Sequence, residues 1–165
     1  MSASFKESIE TGYYKSPIGW MEIRADRDVL LSILFCEELK SEVNFAGNII
    51  NETIEQLKCY FADPSFQFHL PLAAPDTEFQ AMMRQAMMQI KPGEVKTYGQ
   101  MARSLGKPEA SRAVGRAAAA NPFMIVVPCH RVVGAGGKLT GYAGGMERKK
   151  WLLEHEAKGL KFQLR

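Results

Sequence analysis

The chain has few of the residues from which metal centres and disulfide frameworks are built. Its 165 residues include three cysteines, which form no CxxC pair, and three histidines. The histidines, at positions 69, 130 and 155, are too scattered for a zinc-ligand spacing. We therefore expect reduced thiols, no bound metal and no cofactor.

Long apolar runs are also missing. A membrane-spanning helix needs about 20 consecutive apolar residues, and no stretch of this sequence approaches that length. The first seven residues lack the apolar core of a signal peptide, so the expected location is the cytoplasm and no membrane partner is expected. Hydrophobic residues make up 46% of the chain, which is enough for the core of one domain or of two small ones.

Charge is distributed unevenly although the net charge is only +3. Residues 1–76 contain 6 basic and 12 acidic side chains, whereas residues 77–165 contain 15 basic and 6 acidic. This asymmetry indicates that the second half meets a polyanion while the first half stays clear of it. A solvated basic face is the alternative explanation.

The first part of the chain is predicted to form a small sheet with one helix. Strand-like runs over residues 19–24 and 29–35 flank a turn at 25–28. Apolar residues at helical spacing predict a helix over 49–61, and alternation predicts a further strand over 66–70. The two prolines of the next segment indicate a linker, and we place the domain boundary after residue 76, giving domains 1–76 and 77–165.

The second part is predicted to be mainly helical. A helix over 77–90 begins with Thr77 and Gln80 in a capping-box pattern, and its methionine stripe is typical of a core. A short helix over 97–106 and another over 109–121, joined by a glycine-containing turn, favour a helix-turn-helix. The second of these helices has Arg112 and Arg116 on one face beside alanine and glycine, which favours close approach to DNA without sequence readout. A plain alanine-rich helix packed on its neighbours is the alternative.

A cysteine beside a histidine is the most informative pair in the sequence. Cys129 and His130 follow the apolar run 124–127, which predicts a buried strand or extended segment that ends at Cys129. Glu156 borders the apolar face of a helix over 146–156, so this carboxylate needs a partner, and His130 is a reasonable one. Such a relay would lower the pKa of the thiol. An inert buried cysteine and a solvated Glu156 are the alternatives.

The glycine-rich loop 141–145 is predicted to line a pocket. It does not continue as the Gly-Lys-Ser or Gly-Lys-Thr of a phosphate-binding loop. Its glycines would let the backbone approach a flat ligand, with Tyr142 as an apolar wall. Tyr98 could donate a proton to a leaving group or simply pack on the core.

Taken in order, these residues resemble one family, the O(6)-alkylguanine-DNA alkyltransferases, also called methylated-DNA–protein-cysteine methyltransferases. The resemblance covers about residues 77–157. The motifs that carry it are Tyr98, Ala-Ser-Arg-Ala-Val-Gly at 110–115, Asn-Pro at 121–122, Val-Pro-Cys-His-Arg-Val at 127–132, Gly-Tyr-Ala-Gly-Gly at 141–145 and Trp-Leu-Leu-Glu-His-Glu at 151–156. As an ordered set they are far more specific than any one of them.

The resemblance implies a one-shot DNA repair protein. It would bind double-stranded DNA as a monomer, flip a damaged guanine out of the duplex and move its alkyl group irreversibly to Cys129; O(4)-alkylthymine is a second implied substrate. The implied fold is α+β in two domains. A small ribonuclease-H-like α/β domain is followed by a mainly α, winged-helix-like domain with the helix-turn-helix.

The family's site residues are carried over by motif. Cys129 is the implied acceptor, His130 takes its proton through a water, and Glu156 orients His130. Asn121 braces the turn, and Tyr98 assists rotation of the nucleotide and donates to the base. The implied pocket comprises Val132, Tyr142, Ala143 and Gly144, with the carbonyls of Cys129 and Val132 and the amide of Ala143 holding the guanine edge. The implied DNA contacts are Ser111, Arg112, which fills the gap in the base stack, Arg116, Ala118 and Arg131.

The chain departs from some relatives in two places. Some bind zinc in the first domain, but this sequence has no cysteine before Cys36, so we predict none there. Ala118 is smaller than its counterpart in some relatives, which predicts a weaker wedge contact. Two alternative functions stay open at this point, a cysteine hydrolase with turnover and a non-enzymatic winged-helix module that senses lesions.

Overall fold

The computed structural model describes residues 8–39 and 47–157. The chain forms two compact units that divide between Ala73 and Ala74. Strands and helices occur in the first unit, and helices with a short two-stranded sheet make up the second. The expected α+β class with two domains is confirmed. No helix within the described ranges is both long and apolar enough to cross a membrane.

The first unit is a three-stranded antiparallel sheet packed against one helix. The strands β1 (Glu10–Ser16), β2 (Gly19–Ala25) and β3 (Leu30–Phe35) lie in chain order, and the helix is α1 (Asn48–Ala62). Alternate residues of β2 are buried, as expected for a sheet with one face on the core. The predicted positions of β2, β3, α1 and the turn between β2 and β3 are confirmed to within one or two residues.

The strand predicted over residues 66–70 is wrong. That segment forms no strand, because the side chain of Gln56 takes the hydrogen bonds that a neighbouring strand would supply. Its Oε1 accepts from the backbone N–H of His69 and its Nε2 donates to the carbonyl of the same residue, each at 2.9 Å. The chain then runs alongside the start of β3. There the N–H of Leu30 donates to the carbonyl of Pro71, and the N–H of Ala73 donates to the carbonyl of Leu30.

The second unit contains four helices and a parallel pair of short strands among its described residues. The elements are α2 (Glu78–Met88), β4 (Lys96–Thr97), α3 (Tyr98–Ser104), α4 (Ser111–Ala119), β5 (Val132–Val133) and α5 (Met146–Ala157). The hydroxyl of Thr77 caps α2 by accepting from the N–H of Gln80, and Thr97 with Gln100 forms the complete capping box predicted for α3. Helices α3 and α4 pack together as the predicted helix-turn-helix.

Pairing of β4 with β5 brings distant parts of the sequence side by side. Lys96 pairs with Val132, and Thr97 pairs with Val133. Tyr98 begins α3 immediately after β4, and Cys129 lies three residues before β5. The short sheet therefore fixes the start of the helix-turn-helix beside the cysteine.

Candidate active site

The approach to Cys129 is a strained turn. The strand or extended segment expected over residues 124–127 is wrong, because these residues form a turn and Ile125 has a φ of 71°. A β-branched residue rarely adopts positive φ, and such strain persists only where the surrounding structure enforces it. The chain then enters a 3-10 turn, Cys129–Arg131, in which all three residues are buried.

Asn121 ties this turn together. Its Nδ2 lies 3.2 Å from the carbonyl oxygen of Phe123, 2.9 Å from that of Val127 and 3.2 Å from Sγ of Cys129. Its Oδ1 accepts from the N–H of Phe123 at 3.0 Å. One buried amide thus fixes the strained backbone and touches the thiol.

Cys129 is held as a thiol in the resting structure. Only 4% of the residue is exposed, and burial raises the pKa of the thiol although the hydrogen bond from Asn121 and the charge of Lys149 oppose this. The expectation of a lowered pKa is therefore wrong, because desolvation outweighs the favourable contacts. A thiolate must be generated during the reaction by removal of the proton.

His130 and Glu156 form the hydrogen-bonded pair that the sequence suggested. His130 Nε2 lies 2.7 Å from Glu156 Oε1, and neither side chain is exposed. Burial lowers the pKa of His130 despite the nearby carboxylate, so its imidazole is neutral at rest. Its Nδ1 is buried and has no hydrogen-bond partner within the described part of the chain.

Arg131 is engaged inside the domain and does not have the DNA-contacting position expected from the sequence. Its Nε and Nη2 donate to the two oxygens of Glu156 at 2.9 and 2.8 Å, and Nη1 donates to the carbonyl of Ile90 at 2.6 Å. Burial opposes ionisation of Glu156, but its contacts with His130 and Arg131 hold the pKa of that carboxyl well below its usual range.

Lys149 is the site residue that the sequence reasoning missed. It is 1% exposed, and its Nζ donates to the carbonyls of Val132 at 2.6 Å and Thr140 at 2.9 Å. Burial lowers the pKa of this ammonium to about 8, while the neighbouring Cys129 opposes the shift. A helical signal was available, because positions 149, 152, 153 and 156 repeat at the spacing of one buried helix face.

Tyr98 and the glycine-rich loop meet at one carbonyl. The Tyr98 hydroxyl donates to the carbonyl oxygen of Thr140 at 3.0 Å, the same oxygen that accepts from Lys149. Gly141 follows with a φ of +66°, and a Cβ there would lie 3.1 Å from Tyr98 Oη. Backbone conformation and the close approach of Tyr98 therefore both favour glycine at this position.

The other expected pocket residues lie around the same turn and loop. Val132, Tyr142 and Gly144 are buried, whereas Ala143 is exposed. The Tyr142 hydroxyl is buried without a hydrogen-bond partner among the residues described, and burial raises its pKa well above 10. An unpaired buried hydroxyl is unfavourable unless a water or ligand completes it, so this group is available to an occupant of the site.

Helix α4 exposes its arginines and buries Val114 and Ala118. Arg112 and Arg116 are exposed, and Ser111 is half-buried. Ala118 is only 5% exposed and shares the inner face with Val114, so the expected DNA contact at Ala118 is wrong. The spacing of four between positions 114 and 118 in the sequence already indicated that Ala118 lies on the same buried face as Val114.

The chemistry available here is nucleophilic attack by sulfur. A buried thiol, a neutral imidazole with an unpaired nitrogen and an ionised carboxylate behind it are the parts of a proton-transfer relay. Across the described ranges, no group of three or more His, Cys, Asp or Glu residues could hold a metal ion.

Two family models together match most of the chain. The model of the 6-O-methylguanine DNA methyltransferase ribonuclease-like domain matches residues 9–74, and that of the corresponding DNA-binding domain matches residues 78–158. A methylated-DNA–protein-cysteine methyltransferase of Methanosarcina acetivorans is 43% identical over 148 residues, which cover 87% of this chain and 95% of the relative. One of Salmonella typhimurium is 44% identical over 140 residues, covering 84% and 81%.

Solved structures give the same result. The O(6)-methylguanine methyltransferase of Mycobacterium tuberculosis aligns with a TM-score of 0.81 and 36% identity over 94% of this chain and 97% of that one. The same organism's protein in complex with DNA aligns with a TM-score of 0.79 and 38% identity, covering 93% and 94%.

Proposed function

Because the chain belongs to the O(6)-alkylguanine-DNA alkyltransferase family, we propose that Cys129 is the residue consumed when it repairs DNA. The protein is a methylated-DNA–protein-cysteine methyltransferase, which binds DNA and reverses alkylation directly by transfer to its own cysteine. Its first domain is ribonuclease-like and its second binds DNA.

The reaction needs one proton transfer and one displacement. His130 removes the proton of Cys129 through its unpaired Nδ1, directly or through a water, while Glu156 orients the ring. The thiolate attacks the alkyl carbon on O(6) of guanine, a sulfur–carbon bond forms, and the electron pair of the broken carbon–oxygen bond leaves with the base. The thioether product is not reversed by cellular thiols, so each molecule acts once.

The buried position of Cys129 requires the damaged base to come to it. We propose that the nucleotide rotates out of the duplex and that Arg112 fills the vacated stack. Tyr98 assists this rotation, but its hydroxyl, which donates a hydrogen bond to the Thr140 carbonyl, must give up that bond to donate to the base. The pocket of Val132, Tyr142, Ala143 and Gly144 would receive O(6)-alkylguanine and O(4)-alkylthymine.

The observation that carries this proposal is the cluster of Cys129, His130 and Glu156 inside one domain whose exposed helix α4 carries two arginines. We further propose that the active form is a monomer and that the functional domains are residues 1–76 and 77–165.

Intact-mass measurement after incubation with DNA containing O(6)-methylguanine tests the proposal. We expect one added methyl group per molecule, located on Cys129, and no further product after that. Many demethylated bases per protein would indicate a cysteine hydrolase instead. Repair that survives Cys129→Ala would leave only a lesion-sensing role for this site, and either result overturns the proposal.

A further inference from the structure

Arg131 is buried and makes three hydrogen bonds, two to Glu156 of the relay and one to the carbonyl of Ile90. We propose that Arg131 is a positioning residue that keeps Glu156 ionised and thereby fixes Nδ1 as the nitrogen of His130 that accepts the proton of Cys129. This inference rests on the proposed function, since it assigns a role within the same proton transfer.

The geometry of Arg131 leaves it little freedom. Two of its donors meet both oxygens of Glu156, at 2.9 and 2.8 Å, and the third meets the carbonyl of Ile90 at 2.6 Å. A bidentate arginine–carboxylate pair is directional as well as strong. The carbonyl of Ile90, just beyond the end of α2, anchors the guanidinium on its other side.

The charge state of Glu156 determines the tautomer of His130. An ionised carboxylate can only accept hydrogen bonds, so the 2.7 Å contact requires Nε2 of His130 to carry the hydrogen. In a neutral imidazole the other nitrogen, Nδ1, then has a free lone pair. That nitrogen is the one without a protein partner in the described structure, and it is therefore the base.

Loss of Arg131 would favour the opposite tautomer of His130, with the hydrogen on Nδ1. The side chain of Glu156 is not exposed, and a buried carboxyl without a cation tends to take up a proton. A protonated Glu156 can donate to Nε2, which moves the ring hydrogen to Nδ1 and removes the base. Arginine is suited to this role because it stays charged at every physiological pH.

Other ionisable groups act on the same pair and must be separated from Arg131. The charge of Lys149 on α5 acts to lower the pKa of both Cys129 and His130. The charge of Glu156 acts to raise the pKa of Tyr142 in the loop. The ammonium of Lys149 donates to two carbonyls. During transfer the proton moves from Sγ to Nδ1, the Nε2 hydrogen remains on the ring, and no proton reaches Glu156.

Nitrogen-15 NMR of histidine-labelled wild-type protein tests the tautomer without any substitution. We expect His130 to be neutral at pH 7 with hydrogen on Nε2 and none on Nδ1. A hydrogen on Nδ1 overturns the inference. This measurement is independent of repair, so it distinguishes failure of the inference from failure of the proposed function, which the methyl mass shift decides.

Arg131→Met and Arg131→Lys extend the test to the reaction. With the free alkylguanine base as substrate, Arg131→Met should react at least about tenfold more slowly at pH 7, with His130 shifted toward the Nδ1–H form. Its rate should fall further as the pH is lowered, because Glu156 takes up a proton more readily without Arg131. Arg131→Lys keeps the cation and should recover part of the rate.

The control is Arg24→Met, at an exposed position in the first unit, which should match the wild type. The inference is overturned if the Arg131→Met variant folds and keeps the rate, the pH profile and the His130 tautomer of the wild type. If it does not fold, the wild-type spectrum and Arg131→Lys decide: a folded Arg131→Lys variant in which His130 carries its hydrogen on Nδ1 but the rate is that of the wild type overturns the inference, whereas hydrogen on Nε2 with a partly recovered rate supports it.

Discussion

The ammonium of Lys149 lies 2.6 Å from the carbonyl oxygen of Val132. The same ammonium lies 2.9 Å from the carbonyl oxygen of Thr140. It therefore joins the strand that follows the reactive turn to the loop that precedes Gly141. Val132 belongs to the proposed guanine pocket and Thr140 directly precedes the loop that would complete it, so Lys149 links these two segments and adds positive charge near Cys129.

Replacement of Lys149 by methionine should damage both the fold and the reaction. The substitution keeps an unbranched side chain but leaves the carbonyl of Val132 without its donor and removes one of the two donors to the carbonyl of Thr140. It should therefore lower the free energy of unfolding by about 2 kcal/mol. Loss of the cation should also slow alkyl transfer by about tenfold, because the charge of Lys149 opposes the raised pKa of the Cys129 thiol and so favours the thiolate. Urea denaturation and single-turnover alkylation of the free base measure the two effects.

Lys150→Met is the matched control. Lys150 is the next residue of α5, its side chain is 36% exposed, and its ammonium lies 4.0 Å from the carboxylate of Glu154. An exposed pair of this kind contributes little, so we expect a change below about 0.5 kcal/mol and a wild-type rate. Equal losses in the two variants would remove the structural role assigned to Lys149.

The carboxylate of Glu156 should make stability dependent on acid pH. Its folded pKa is depressed, so the stabilisation is complete above the unfolded pKa of about 4.3 and is lost as the pH falls toward the folded value. Glu156→Gln should be less stable by about 3 kcal/mol at pH 7, because it leaves Arg131 unpaired. The difference should shrink as the pH is lowered from 5 to 3 in urea titrations.

Glu154→Gln provides the comparison for this pH dependence. Glu154 lies on the same helix, and its side chain is 42% exposed. Its substitution should leave the stability curve within about 0.5 kcal/mol of the wild type at each pH. Parallel curves for the wild type and Glu156→Gln would contradict a depressed pKa at Glu156.

Alanine substitutions at Gly141 and Gly136 distinguish the energetic cost of backbone strain from that of steric crowding. Both have positive φ, +66° and +69°, but a Cβ at Gly141 would lie 3.1 Å from Tyr98 Oη whereas a Cβ at Gly136 would meet nothing within 4 Å. Gly136→Ala should lower the free energy of unfolding by about 1 kcal/mol, and Gly141→Ala by roughly 2 kcal/mol or more.

A Tyr98→Phe background should reduce the extra cost of Gly141→Ala, because the oxygen that crowds the new methyl group is removed. Thermal or urea unfolding of the two single variants and the double variant measures this coupling. Equal costs for the two alanine substitutions, or strict additivity with Tyr98→Phe, would show that the loop moves away from Tyr98 freely.

Local sequence patterns predicted the elements whose side chains alternate or repeat. Strand β2 shows buried and exposed residues in alternation, and the Thr97–Gln100 capping box identifies the start of α3. Strand β1 was missed because its buried positions include Gly12 and Ser16, which give no apolar alternation. A side chain at Gly12 would overlap Ile50, so the missing apolar residue is a requirement of helix packing.

Of the candidate site, the sequence predicted the pairing of the His130 imidazole with the Glu156 carboxylate and little more. The position of Glu156 on an apolar helix face was visible in the sequence, and the same argument applies to Lys149. The pattern did not show that Arg131 would turn inward, since its partners come from Ile90 and Glu156, 41 and 25 positions away. It also did not give the raised thiol pKa, which depends on complete burial in three dimensions.

Arg112 should matter for duplex DNA but not for the chemical step. Arg112 is exposed near the start of α4, 17 residues before Cys129 in the chain. We expect Arg112→Ala to slow repair of O(6)-methylguanine in duplex DNA by about tenfold or more, because the vacated base stack is no longer filled. Single-turnover reaction with free O(6)-alkylguanine base should be unchanged. Because a stack-filling side chain neutralises no phosphate, the salt dependence of DNA binding should also stay the same, whereas removal of a phosphate contact lowers its logarithmic slope by about 0.9. Equal loss on the duplex and on the free base would place Arg112 in the chemistry or the fold, and would contradict its assignment to base rotation.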